Sequence, residues 1–228
     1  RVRKSLSLIK GGRLAARLAP RRVLCLAISD VPGDDAAIIA SGPLVEDTQG
    51  DADIPGLPDS LRQSLRHPPP RPERDVFRAV RMDIIANLDQ AKTAAAAAAR
   101  QLGYHAILHP ALVIGDAAAA GERLARQLRA AAPGELHIWG GETTVRLPPS
   151  PGRGGRNQHL ALAAALSLQG CANVLLLAAA TDGSDGPGED AGALVDGESV
   201  ARGALHGVDA MAALAAADAG GFLAASGD

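Results

Sequence analysis

The sequence predicts an α/β fold with a mostly parallel sheet, and three observations carry that expectation. Short apolar runs of strand length alternate with longer segments of helical composition, the order that places helices between successive parallel strands. Several of those runs end in polar clusters, as at Ser29-Asp30 and Thr181-Asp182, the strand ends where open α/β sheets collect ligands. Apolar residues make up an ordinary 47% of the 228 residues, but alanine, leucine and valine carry that share and only Trp139, Tyr104, Phe77 and Phe222 are aromatic. The core is therefore expected to consist of small side chains packed at close backbone separations.

Taken in order, residues 1–18 have helical composition interrupted by Gly11-Gly12. Residues 23–29 read as a buried strand whose C-terminal edge carries polar groups. A loop rich in glycine, proline and aspartate follows to Pro43. Prolines are dense over 54–74, and His67-Pro-Pro-Pro-Arg-Pro72 is expected to be extended. Residues 82–86 are a strand, and 90–102, with six consecutive alanines, give the strongest helix signal in the chain, stopped by Gly103. Residues 106–108 are the next strand. Asp116 caps a helix reaching about residue 132, and Pro133-Gly134 closes it and marks the domain boundary. A strand at 136–139, an apolar helix at 157–168, a buried strand at 174–180 and a helix at 208–217 complete the alternation. The last residues, Ala-Ser-Gly-Asp228, show no helix or strand to finish the chain, which also opens on Arg1 without an initiator Met. The expectation is a piece of a longer protein.

Charge and composition narrow the function. With 23 basic and 25 acidic residues the net charge is −2, and so few aromatics argue against a basic nucleic-acid binder. The apolar content argues against disorder. Cys25 and Cys171 sit beside apolar runs and read as small core residues rather than a disulfide or zinc framework. Residues 160–180 carry no charge, but Gln169, Gly170 and Asn173 divide them into stretches too short to span a bilayer. Without a signal peptide, the chain is expected in the cytoplasm, with no membrane partner. A homo-oligomer is compatible with the sequence.

Three polar clusters carry candidate chemistry. Ser29-Asp30-Val-Pro-Gly33-Asp34-Asp35, followed by Ala40-Ser41-Gly42-Pro43, offers carboxylates for Mg²⁺ or for base chemistry, against a plain turn with an aspartate cap. Gly140-Gly141-Glu142 leads to Gly152-Arg153-Gly154-Gly155-Arg156-Asn157-Gln158 at the start of a helix, where N–H groups, the helix dipole and guanidinium forks form an anion site. The alternative is a solvated basic loop tip. Asp182 and Asp185, in Thr181-Asp182-Gly-Ser-Asp185-Gly-Pro, suit a metal or the abstraction of a hydroxyl proton, against a flexible acidic turn. No dinucleotide fingerprint, P-loop or nucleophile elbow occurs. His105 and His109 flank a strand and read as unrelated. Only Lys4, Lys10 and Lys92 are lysines, and two of them precede Gly11-Gly12-Arg13, which keeps a phosphate contact open.

Together these clusters resemble one family. Val2-Arg-Lys4 through Lys10-Gly-Gly-Arg13, Ser29-Asp30-Val-Pro-Gly33-Asp34 with Ile39-Ala-Ser41-Gly42-Pro43, Gly140-Gly-Glu142-Thr-Thr, Gly152-Arg-Gly-Gly-Arg156-Asn157-Gln158 and Thr181-Asp182-Gly-Ser-Asp185-Gly-Pro are similar, in order, to motifs of glycerate 2-kinases with DUF4147 and MOFRL domains. Some members of that family are labelled hydroxypyruvate reductase. The resemblance implies that residues 1–132 are the C-terminal half of a Rossmann-like three-layer domain and that 135–228 are a smaller α/β MOFRL domain truncated at its C-terminus. It implies ATP-dependent phosphorylation of D-glycerate at the 2-hydroxyl with Mg²⁺, at a site in the cleft between the domains. The residues alone leave the 2- and 3-hydroxyl both open.

Lys4, Asp30, Arg156 and Asp182 are the catalytic candidates, with Asp30 and Asp182 as metal ligands. Glu142, Gly154, Gly155, Asn157 and Asp185 are the substrate-binding candidates. Family members carry a Gly/Ser-rich loop and a further lysine upstream and a closing segment downstream, and Ala86-Asn87 stands where a Gly-Ser pair is usual. The fragment alone is accordingly expected to be inactive. The rival readings are a nicotinamide-dependent hydroxypyruvate reductase and a non-catalytic ligand-binding remnant.

Overall fold

The N-terminal helical stretch breaks at its glycines. Helix α1 spans Val2–Leu6 and α2 spans Arg13–Leu18, with Gly11 and Gly12 left-handed between them at φ 59° and 80°. This is a computed structural model that describes residues 2–48, 56–65 and 68–228, and the chain packs as two units, Arg1–Ala91 and Lys92–Asp228.

In the first unit, β1 (Val23–Ser29) forms where the apolar run predicts it and ends on the expected Ser29. A short helix, α3 (Asp59–Ser64), follows the proline-rich loop. Strand β2 (Val80–Asn87) pairs with β1 in parallel, with a bulge between Ala27 and Ile28. Residues 68–73 adopt no regular structure, as the prolines require, while His67 and residues 54 and 55 of that segment lie outside the described residues. The expectation of a buried strand at 23–29 is corrected: its residues alternate between half-buried and exposed up to the buried Ser29, because packing reaches one side of the strand only. Cys25 is likewise half-buried rather than core, as is Cys171 in the second unit.

The alanine-rich helix α4 (Leu88–Gln101) contains the division between the units. In the second unit there follow β3 (His105–Leu108), β4 (Val113–Asp116), α5 (Ala117–Arg129), β5 (Glu135–Ile138), β6 (Gly141–Thr144) and α6 (Arg156–Leu168). Then come β7 (Leu175–Ala179), β8 (Gly192–Asp196), α7 (Ser199–Leu205), α8 (Ala210–Ala215) and α9 (Ala219–Ser226). Strand β3 pairs with β5 and β4 with β6, both in parallel, whereas β7 and β8 are antiparallel. Asp116 caps α5 as expected, accepting the Ala119 N–H at 3.0 Å. The strand at 174–180, expected to be buried, buries Leu176 and Ala178 but exposes Leu175 and Leu177.

The core of this unit is the small-residue core that the composition requires. Ala117, Ala120, Ala125, Ala161, Leu162, Ala164, Ala165 and Leu168 are fully buried. Helices α5 and α6 meet so closely that a Cβ on Gly121 would collide with the Leu160 carbonyl oxygen. The expectation that the chain ends without regular structure is overturned by α9, which buries Phe222 and Leu223. Its short Ala/Gly-rich sequence has no strong periodicity to announce it.

Alanine ordinarily stabilises a helix over glycine by about 1 kcal/mol. Gly121→Ala should instead destabilise the second unit by about 1–3 kcal/mol through overpacking, read as a lower urea midpoint. An unchanged or raised midpoint would show that the helices are not in this contact.

Candidate functional site

The N-terminus of α6 gathers five of the residues that the sequence nominates. Asp185, 2% exposed, accepts the backbone N–H of Asn157 at 3.0 Å, the Asn157 Nδ2 at 3.2 Å and the N–H of Gln158 at 2.7 Å. The amides expected to cradle an external anion are thus occupied by a carboxylate of the chain itself. Its approach explains Gly155, where a Cβ would overlap the Asp185 side chain. Gly154 is held at φ 132°, and a Cβ there would lie 2.7 Å from the Gly220 nitrogen. The loop before α6 is further pinned by Gly152 N–H to Ala216 O at 3.0 Å, Arg153 N–H to Asp218 Oδ1 at 2.7 Å and Gly220 N–H to Arg153 O at 2.8 Å. Its backbone is pinned, while the Arg153 and Arg156 side chains stay about half exposed.

Arg156 turns away from Asp185. Its Nη1 meets Glu142 Oε1 at 2.5 Å and donates to Thr143 O at 3.3 Å, and both ionic side chains are about half exposed, at 49% and 62%. Asp182 is exposed and accepts the Ser184 N–H at 3.3 Å, in a loop closed by Asp185 N–H to Asp190 O at 2.7 Å. Gln158 reaches Asp190 through Nε2 at 3.2 Å. Asp218 and Gly220 were missed by sequence reasoning, and Asp190, at the end of the third polar cluster, was given no partner there. Only their positions in the fold reveal these contacts.

In the first unit, Lys4 is buried and its Nζ donates to Asp47 Oδ1 at 2.9 Å. Ala40, Ser41 and Gly42 are successive left-handed residues, at φ 50°, 67° and 58°. Their carbonyls receive Lys10 Nζ at 2.9 Å, Gly11 N–H at 3.0 Å and Gly12 N–H at 2.7 Å, so the two glycine motifs are zipped together. Such backbone persists only where its surroundings hold it. Arg13 ties this loop to the proline-rich segment, donating to the carbonyls of Lys4 at 2.6 Å, Lys10 at 3.0 Å and Pro69 at 2.6 Å. Asp30 is exposed just past the end of β1. Asn87, at the end of β2, donates to Asp34 Oδ2 at 2.6 Å. Among the described residues no group of three or more His, Cys, Asp or Glu side chains is placed to hold a metal ion. Mg²⁺ needs fewer, since it is commonly bound through one or two carboxylates together with substrate phosphates and water. Exposed Asp30 and Asp182 fit that demand as donor types.

His109 finds its partner on β5 rather than at His105. His109 Nε2 lies 2.9 Å from His137 Nδ1, and His137 Nε2 lies 3.3 Å from Glu135 Oε2, with the two imidazoles and Trp139 stacked. The buried Lys92 donates to His109 O at 2.7 Å. Burial, then His137 and Lys92, push the His109 imidazole below its usual range, and burial does the same to His159 against an upward pull from Asp116.

The MOFRL family model matches residues 135–228, and a model described as a domain of unknown function, DUF4147, matches residues 1–67. The D-glycerate 2-kinase of Thermotoga maritima is 35% identical over 87% of this chain and 50% of its own length. An Agrobacterium vitis protein with a provisional hydroxypyruvate reductase name is 38% identical over 100% of this chain and 55% of its own. The glycerate kinase of Macaca fascicularis is 33% identical over 97% of this chain and 70% of its own. The crystal structure of Thermotoga maritima glycerate kinase superposes with a TM-score of 0.76 at 33% identity, covering 99% of this chain and 57% of that one. The chain therefore spans about half the length of the first two relatives. Mixed α/β architecture with parallel strand pairs accords with that structural match. Among the described residues no helix is long and apolar enough to cross a membrane.

Asp185→Ala should cost about 2–3 kcal/mol, since two backbone donors lose a charged acceptor. Faster amide exchange at Asn157 and Gln158 is the specific readout, and unchanged exchange would contradict the geometry. A histidine whose folded pKa lies below its unfolded value of about 6.5 binds fewer protons when folded. Stability is then full above that pH and declines as pH falls through it. Urea melts should give a lower midpoint at about pH 5.5 than at about pH 7.5, and His159→Gln should narrow the gap. Equal midpoints would contradict the lowered pKa of the buried His159 and the half-buried His109.

Proposed function

The chain belongs to the glycerate kinase family, and from that premise we propose that the protein it forms part of transfers the γ-phosphoryl group of ATP to the 2-hydroxyl of D-glycerate. The observation that carries the reading is the α6 N-terminus, where a half-exposed guanidinium is presented beside a helix start already satisfied by Asp185. Phosphoryl transfer depends on positioning and charge neutralisation rather than on a covalent enzyme intermediate. The 2-hydroxyl oxygen forms the new bond to phosphorus, the bond to the ADP oxygen breaks, and the hydroxyl proton leaves to a carboxylate.

In this reading Arg156 exchanges Glu142 for an anionic group of substrate, the glycerate carboxylate or a phosphate. Asn157 and Glu142 position the substrate, Gly154 and Gly155 let the loop approach it, and Asp185 fixes the helix start from which Arg156 and Asn157 project. Asp30 and Asp182 orient the hydroxyl or hold Mg²⁺, which when bound would neutralise phosphate charge. Lys4 contacts phosphate only by giving up Asp47. The finer fold assignment belongs to the same proposal: 1–132 as part of a Rossmann-like three-layer domain, and 135–228 as a MOFRL domain. So does a cytoplasmic location. The reductase reading, prompted by the names of some relatives, lacks a glycine-rich dinucleotide loop in this sequence.

The chain alone, assayed with ATP and D-glycerate, should form no 2-phosphoglycerate. The longer protein should form it, and Arg156→Ala there should lower kcat/KM about 10²–10³-fold, the usual scale for one charge-stabilising donor. Full turnover by the chain alone would overturn its inactivity. Unchanged turnover by the Arg156→Ala protein would favour a binding module, and NADH oxidation with hydroxypyruvate but no kinase activity would favour the reductase.

A further inference from the structure

Where β3 ends beside β5, two imidazoles that the kinase reading does not use meet nitrogen to nitrogen. His109 Nε2 lies 2.9 Å from His137 Nδ1, and His137 Nε2 lies 3.3 Å from Glu135 Oε2. Glu135 Oε2 also accepts the Ala132 N–H at 2.9 Å, and His105 Nδ1 stands 3.9 Å from the Oε1 atom. The His137 side chain is 11% exposed, and Trp139 lies nearly parallel to both imidazoles, with centroids 4.8 Å from His109 and 5.4 Å from His137. Among the described residues the ionisable groups acting on the pair are Glu135 on β5, His105 on β3 through Glu135, and Lys92 on α4, whose Nζ donates to His109 O.

A nitrogen–nitrogen contact of 2.9 Å holds one hydrogen, not two. The Glu135 carboxylate takes the His137 Nε2 hydrogen, so with both rings neutral His137 Nδ1 accepts from His109 Nε2–H. One added proton fits at His109 Nδ1, and its charge can pass across the contact to the ring beside Glu135. A second proton has to enter the contact itself, where two hydrogens and two like charges push the rings apart. Burial, then His137 and Lys92, hold the His109 imidazole below its usual range, and the Ala132 N–H and His137 hold the Glu135 carboxyl below the usual carboxylate range. The backbone couples these rings to the next segment. His109 N–H donates to Ile138 O at 3.0 Å, Val113 N–H donates to Gly140 O at 2.9 Å, and a Cβ on Gly141 would strike the Val113 backbone. We propose that His109 and His137 are a proton-sharing pair that takes up one proton intact and parts on the second, loosening the Trp139-Gly140-Gly141 segment that carries Glu142 to Arg156. This goes beyond the kinase reading and is read without turnover, so that either can fail while the other stands.

Trp139 is the only tryptophan of the chain, so its fluorescence reports on the pair. The 228-residue chain is titrated from about pH 8 to about pH 4.5, a range that brackets the ordinary histidine pKa of about 6.5. Imidazole nitrogen resonances, Trp139 fluorescence and amide exchange are followed together. Both rings should shift at a first step that adds one proton to the two, and the second proton should bind at least about tenfold more weakly. Faster exchange at Gly140, Gly141 and Glu142 should accompany the second step while α5 keeps its protection. His137→Gln should leave one step at His109 and none in the exchange of 140–142, whereas His159→Gln should leave both steps in place. A His137→Gln chain that fails to fold leaves the wild-type titration decisive. Each ring taking its own proton at the same pH, a second step that leaves 140–142 protected, or one that arrives only as α5 loses protection would overturn the proposal.

Discussion

The second unit turns on one carboxylate and one helix end that satisfy each other. A helix begins with N–H groups that have no partner within the helix, and a buried carboxylate without partners is expensive. Asp185, almost fully enclosed, meets the first turn of α6 with three hydrogen bonds. A hydrogen bond to a charged group is worth about 1.5–3 kcal/mol, so the three together exceed what an anion arriving from solution recovers at a helix terminus, where the dipole is worth at most about 2 kcal/mol. The internal carboxylate therefore keeps the site. Gly155 must stay small beneath it, the 181–190 loop is anchored to α6, and Arg156 is left to face Glu142 and Thr143.

Sequence reasoning reached the backbone plan well where period and caps were strong. Residues 23–29 give β1 with its predicted ends, and the alanine run and the Asp116 cap give α4 and α5. It missed β4, β6 and β8, four- and five-residue strands containing glycine, where no apolar alternation stands out. Gly141 and Gly192 occur there because a Cβ would strike the neighbouring strand at Val113 or Ala178. At the candidate site, the grouping of Glu142, Arg156, Asn157 and Asp185 was legible from their motifs. Which partner each would take was not, because the choice between an external anion and Asp185 is made by a loop that returns about 28 residues later in the chain. Lys4 illustrates the same gap, since nothing around Asp47 in sequence marks it as the partner.

The lysines form a pattern that composition only hinted at. Lys4 and Lys92 are buried, and all three lysines have long-range oxygen partners: Lys4 on Asp47, Lys10 on the Ala40 carbonyl and Lys92 on the His109 carbonyl. A compact ammonium suits contact with individual oxygens, whereas the planar guanidinium fork suits paired acceptors. Arg13 shows that contrast, spreading over the carbonyls of Lys4, Lys10 and Pro69. The two units differ in the same physical terms. The second closes a dense alanine core around α6, while the first relies on hydrogen-bonded loops and leaves its strands half covered.

The central claim is that Asp185, not a bound anion, satisfies the start of α6. It is tested most directly by titrating inorganic phosphate into the chain while following the backbone amide resonances of Asn157 and Gln158. The account predicts that both stay in place at phosphate concentrations that shift exposed guanidinium signals. Saturable movement of the two amides would contradict it, because phosphate would then be taking the position assigned to Asp185.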